Sequence, residues 1–167
     1  RCLTLPCDVT DEAACAAAID RAAAQFGRID VLINNAGISH RSALVDTAPD
    51  VIRRVMAVNF FGALHATHTA LPALLAARGQ VIAISSVAGF APLMGRTGYA
   101  ASKHALHGFF DSLRTEVEDA GVGVLLPPSG DVWMPVLLAL AGAAAVFALL
   151  VVDAKLSRPA VAAAEER

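Results

Sequence analysis

Tyr99 and Lys103 stand four residues apart in the run Tyr99-Ala100-Ala101-Ser102-Lys103. On a helix, positions i and i+4 project from one face. A phenol, with an ordinary pKa of about 10, is a poor acid–base group near neutrality. An adjacent ammonium favours the phenolate and draws that pKa down, as proton transfer at ordinary pH requires. Taken alone, such a pair is more often an exposed couple on a helix surface. Its surroundings argue for more. Ser86 lies thirteen residues before Tyr99, at the expected end of a strand, where its hydroxyl is free to donate to a substrate oxygen. Asn59 opens the helical stretch that precedes that strand.

The elements that must position these groups can be read along the first 126 residues, where short apolar runs alternate with helical segments. Cys2 to Cys7 is a short strand candidate closed by Asp8. Thr10 stands where an N-cap belongs, with Asp11 and Glu12 in the first turn. Cys15, Ile19, Ala22, Ala23 and Phe26 then recur at helical spacing before Gly27, a natural C-terminal stop. Val31 to Ile33 forms a second strand running into Asn34-Asn35-Ala36-Gly37. Pro49 opens a helical stretch, and a longer one runs from about Asn59 to Ala77, ended by Gly79. Val81 to Ile84, Thr97 to Ala120 and Val122 to Leu126 supply a strand, a helix and a strand. The strands are continuously apolar, as expected when helices cover both sheet faces. Helical crossovers between them imply a doubly wound parallel α/β sheet. Ligands of such a sheet bind beyond the carboxyl ends of its strands. Those ends carry Asp8, the Asn34–Gly37 turn, Ser85-Ser86 and Pro127. An Asn-Asn-Ala-Gly segment by itself can also be a plain turn that tolerates positive φ.

In order and spacing, Asp8-Val9, Asn34-Asn35-Ala36-Gly37, Asn59, Ser85-Ser86 with Gly89, and Tyr99-x-x-x-Lys103 resemble the short-chain dehydrogenase/reductase family over roughly residues 1–126. The stretch from Ile84 to Ala105 looks most like classical, often membrane-associated reductases. The resemblance implies a Rossmann-like fold and hydride transfer between a nicotinamide cofactor and a carbonyl or secondary alcohol. It implies Tyr99 as general acid or base, Lys103 on the nicotinamide ribose, and Ser86 as a donor that polarises the substrate oxygen, with Ser85 structural beside it. It places Asn59 at the water of a proton relay to Lys103 and the Asp8 side chain, next to Val9, at the adenine amino group. Asn34, Ala36 and Gly37 would line the adenosine half. The cofactor is NADP or NAD, NADP being favoured by resemblance alone, and dimerisation through the helix of Tyr99 and Lys103 is expected of the family.

Departures from the pattern matter as much. The glycine-rich turn and strands 1 and 2 of the family have no counterpart, which predicts two open sheet edges and a chain that folds poorly by itself. In the family order 3-2-1-4-5-6-7 the Cys2–Cys7 strand would lie two strands from Val31–Ile33. Pro127-Pro128 replaces the usual Pro-Gly after strand 6. Val132 to Val152 holds no charge and is long enough for a membrane span. The expected organisation is a partial NAD(P)-binding domain over 1–130, an apolar or transmembrane helix over 131–153 and a polar tail over 154–167. The catalytic part is expected in the cytoplasm with the C-terminal end as its anchor. Alternatives are a catalytically dead fragment and a membrane-anchored association module. A net charge of −2 with no basic cluster argues against nucleic acid. Cys2, Cys7 and Cys15 read as reduced packing residues. The i, i+3 pairs His65/His68 and His104/His107 lack a third ligand, which argues against a metal.

Overall fold

The computed structural model describes residues 2–127 and 149–152. Its elements are α1 (Glu12–Phe26), β1 (Val31–Asn34), α2 (Pro49–Met56), α3 (Gly62–Ala77), β2 (Gln80–Ala83), α4 (Thr97–Val117), β3 (Gly123–Leu125) and β4 (Leu149–Val152). The strands form one sheet in the order β3-β2-β1-β4, and every pairing is parallel.

Alternation of side chains along the strands divides the core. Leu32, Val81, Ala83 and Val124 meet Ile19 of α1, Ala63, Ala66, Ala70 and Leu74 of α3, and Leu106, Phe110 and Leu113 of α4. Val31, Ile33 and Ile82 form a smaller cluster with Ile84. Alanine at the buried positions of α3 lets the helix axis approach closely. At Gly62 the fit is tighter still, since a methyl group there would sit 2.8 Å from Val9 Cγ2.

Local signals explain most element ends. Gly27 closes α1 with φ 82°, and its N–H donates to the Ala23 carbonyl at 2.8 Å. Pro49 begins α2, where the missing N–H costs nothing. Its rod continues through a π-turn, Ala57–Phe61, into α3. Arg78 ends α3 in the left-handed region at φ 50°, and the Gly79 N–H donates to the Leu74 carbonyl at 2.9 Å.

Four expectations are corrected. The cap of α1 is Asp11, which accepts the Ala14 N–H at 3.0 Å. Thr10 is held instead by Asp8, whose Oδ1 accepts the Thr10 N–H at 2.9 Å and hydroxyl at 2.8 Å. Cys2–Cys7 is not a strand: Pro6 has no N–H to give a ladder, and the free edge of β1 is occupied by β4. Val31 is paired with Leu149 and Asn34 with Val152, so that edge is covered rather than open. The predicted apolar helix therefore does not extend over Leu149–Val152, where two valines and an unpaired neighbouring edge favour a strand. Residues 131–148 and 153 of that helix, and the polar tail over 154–167, lie outside the described residues.

Among the described residues the rod Pro49–Ala77 is long and apolar enough, by length and composition, to cross a membrane. Here it packs on α1, α4 and the sheet as a core helix.

A methyl group at Gly79 would lie 2.5 Å from the Asp30 carbonyl oxygen, a backbone atom that cannot turn aside. Gly79→Ala is expected to destabilise the fold by about 1–3 kcal/mol, as overpacking does. Urea unfolding should show a lower midpoint with an unchanged slope.

Candidate functional site

The site assembles where α4 crosses the carboxyl end of β2. Lys103 is the polar anchor. Its ammonium donates to the Ile84 carbonyl at 2.7 Å, and only 6% of the residue is exposed. Burial disfavours the charged form and pulls its pKa down to about 8. One turn earlier on the same helix face, the half-buried Tyr99 places its ring centroid 5.8 Å from that nitrogen. The Arg96 guanidinium stands 5.8 Å over the same ring and hydrogen-bonds Ser39.

Ser86 follows β2 with extended backbone, φ −163° and ψ 160°, and caps the short 3-10 turn Val87–Gly89. Its Oγ accepts the Ala88 N–H at 3.2 Å, which leaves the hydroxyl proton to donate. Ser85 is buried: its Oγ is 2.8 Å from Nε2 of His107, and its N–H donates to the Pro127 carbonyl at 2.9 Å.

Asn59 lies in the π-turn and is 1% exposed. Its Oδ1 accepts the Ile38 N–H at 2.8 Å, and its Nδ2 donates to the Ile38 carbonyl at 3.0 Å and to Ser102 Oγ at 2.9 Å. Ser102 in turn donates to the Tyr99 carbonyl at 2.8 Å. Both N–H donors and one lone pair of the Asn59 amide thus tie the loop after β1 to α4. A π-turn shifts the helical register by one residue, a distortion common where backbone groups are needed for function.

The residues expected to line the cofactor separate into two groups. Val9, Asn34 and Ala36 border one shallow cleft with Gly62 and Ala63, with a volume of about 10 Å³. Asn34 is buried and its Nδ2 donates to Thr67 Oγ1 at 2.9 Å, so its amide orients the strand end. Gly37 is exposed beside Asn59, with room for a methyl group 3.5 Å from Oδ1. Asp8 is exposed, and the Thr10 N–H, then its hydroxyl, hold the carboxyl below its ordinary pKa. Tyr99 and Lys103 form the second group. The donor set suits a nicotinamide dinucleotide: an ammonium has three donors, one goes to Ile84, and two remain for the oxygens of a ribose diol.

Ser102, Thr67, Ile38 and His107 belong to this site and were not singled out as such from sequence. Ser102 and Thr67 are small polar residues on otherwise buried helix faces, a pattern that signals a buried partner. His107 was weighed only as a metal ligand. Its i, i+4 spacing from Lys103 is the signal that placed it on the site's face.

A family model described as short chain dehydrogenase matches residues 1–132. Over 129 residues the chain is 53% identical to dehydrogenase/reductase SDR family member 7B of Bos taurus, covering 73% of this chain and 40% of that protein. It is 41% identical over 116 residues to dehydrogenase/reductase SDR family member 7 of Homo sapiens, covering 69% and 34%. The chain thus spans about 40% or less of the length of these curated relatives. Among solved structures, a metagenomic short-chain oxidoreductase in complex with NADP superposes with a TM-score of 0.74 at 32% identity, covering 90% of this chain and 73% of that one. An NADH-dependent reductase of alginate metabolism gives 0.69 at 31% identity, covering 73% and 53%. The parallel α/β architecture is therefore Rossmann-like, and the chain belongs to the short-chain dehydrogenase/reductase family.

Proposed function

We propose that this chain carries the acid–base half of a nicotinamide-dependent oxidoreductase that interconverts a carbonyl and a secondary alcohol. The observation that carries the reading is the buried Lys103 ammonium, fixed on Ile84 and one helical turn from Tyr99. A buried cation is costly unless it is hydrogen-bonded, and this one is held on Ile84 beside the only phenol of the chain.

NADP or NAD, when bound, supplies or accepts the hydride; NADP has the support of one structural relative and NADH of another. Asp8, Val9, Asn34, Ala36 and Gly37 would hold its adenosine half, and Lys103 its nicotinamide ribose. The chain's own residues handle the proton. Ser86 donates to the substrate oxygen and fixes its position, a preorganised donor at the point where negative charge develops. Tyr99 gives its phenolic proton to that oxygen during reduction and removes it during oxidation. Lys103 stabilises the resulting phenolate. Asn59 holds the loop after β1 against α4, so that the relay and the cofactor cleft share one frame.

The reading is tested by nicotinamide fluorescence on binding NADPH or NADH, followed by turnover of a panel of ketones and aldehydes. Saturable binding with turnover supports it, and binding with no turnover of any carbonyl or alcohol counts against it. Tyr99 is the sole tyrosine of the chain, so Tyr99→Phe removes the only phenol while keeping the ring. It is expected to lower kcat by at least about 10²-fold, the lower end of general acid–base contributions, and near-normal turnover would remove Tyr99 from the mechanism.

Lys103 also makes a prediction about pH. Its folded pKa is about 8 against an ordinary 10.5. Below about 8 the group is charged in both folded and unfolded chains, and the burial penalty is felt in full. Between those values the unfolded chain binds more protons, so stability relative to a Lys103→Met chain should rise with pH, by up to about 3 kcal/mol. Denaturant unfolding of both chains from pH 7 to 10.5 measures the gap. A constant gap would show that Lys103 is solvated in the folded state. Activity should fall over the same range, as the ammonium beside Tyr99 is lost.

A further inference from the structure

We infer that His107 is a positioning residue, which sets Ser86 relative to Tyr99 and Lys103 by gripping the neighbouring Ser85; the inference rests on the oxidoreductase reading above. Lys103 and His107 are one turn apart on α4, and each reaches across to the segment after β2. Lys103 takes the Ile84 carbonyl and His107 the Ser85 hydroxyl, with Nε2 and Oγ 2.8 Å apart. Asp111 Oδ2 lies 3.9 Å from Nδ1, and the Ser85 hydroxyl can meet Nε2 as donor or acceptor according to the tautomer.

The surroundings are built around this bond. A methyl group at Gly89 would sit 2.7 Å from His107 Cδ2 and 2.8 Å from Ser85 Oγ, so only glycine lets the 3-10 turn close over the pair. Phe90 meets the imidazole edge-on, with centroids 6.3 Å apart and planes at 89°. Ser85 is thereby held at two atoms, its N–H by Pro127 and its hydroxyl by His107. Ser86 is the next residue, and its Oγ is steadied by the Ala88 N–H of the same turn. Without the imidazole the buried Ser85 hydroxyl would seek another partner, and Ser86 would shift with it. A misplacement of about 1 Å in a reacting geometry can cost on the order of 10²-fold.

The test compares His107→Leu, His107→Gln, Ser85→Ala and the Leu/Ala double variant in the full chain. Three quantities are read: kcat and KM for a carbonyl substrate, the Kd for NADPH by fluorescence, and backbone amide NMR shifts of Ser86 to Gly89. His107→Leu should lower kcat by about 10-fold or more while the NADPH Kd is kept. Ser85→Ala should match it, and the double variant should lose no more than either alone, because one bond has been removed in each. His107→Gln, whose amide reaches the position of Nε2, should recover most of kcat and return the amide shifts to those of the parent chain. An unchanged kcat, losses that multiply, or a parallel loss of NADPH binding without rescue by glutamine would each overturn the inference. Should the parent chain turn nothing over, the oxidoreductase reading fails, and the amides still decide the tether: shifts unmoved by His107→Leu would sink it.

Discussion

The contact on which the site depends is the hydrogen bond from the Lys103 ammonium to the Ile84 carbonyl. It joins the middle of α4 to the end of β2 through a charge that is almost wholly out of water. Such a charge opposes folding unless its donors are met, and the depression of its pKa to about 8 expresses that cost. The fold carries the cost at the one place where a cation stands beside the chain's single phenol. Tyr99 precedes it by a turn and His107 follows it by a turn, so α4 meets the segment after β2 over successive turns of a single face. Farther along, Arg114 donates through Nε to the Val124 carbonyl at 3.1 Å and ties the same helix to β3.

A second set of contacts aligns the rod Pro49–Ala77 with this helix. Asn59 clasps Ile38 on both its N–H and its carbonyl and reaches Ser102 on α4. Thr67, eight residues along the rod, takes the amide of Asn34. These polar side chains are buried, and each is matched, so none is left to oppose the fold. The same rod presents Gly62 and Ala63 to the cleft beside Val9. One helix therefore borders the cleft beside Val9 and orients the side of the proposed acid–base groups. The π-turn at Asn59 is the point where the two duties meet.

What could be read from the sequence was what depends on neighbours in the chain. Gly27, Pro49 and the long repeats of α3 and α4 announce themselves within a few residues, and Tyr99 and Lys103 are linked by helical geometry alone. Cys2–Cys7 and Leu149–Val152 show the opposite case. Both are short apolar runs, and only the second finds an unpaired edge, so the distinction is made by the rest of the sheet. The choice of Asp11 over Thr10 as cap turned on Asp8, whose carboxylate already holds Thr10. Ser102, Thr67 and His107 act through bonds spanning 43, 33 and 22 residues, respectively. Of Ser102 and Thr67 the only trace is a small polar residue on an apolar helix face, and of His107 its i, i+4 spacing from Lys103.

The proposed acid–base groups are held by contacts whose partners all lie between Asn34 and Pro127. Lys103 needs Ile84, Ser86 needs Ala88 and its neighbour Ser85, Ser85 needs His107 and Pro127, and Asn59 needs Ile38 and Ser102. Backbone carbonyls and N–H groups supply most of the partners, and the backbone is itself held by parallel β1–β2 and β2–β3 pairing. A cofactor entering such a site would meet donors already in place, so little ordering entropy would remain to oppose its binding. The proposed proton-transfer groups meet at the α4–β2 junction, and the cleft beside Val9 is joined to that junction through one helix.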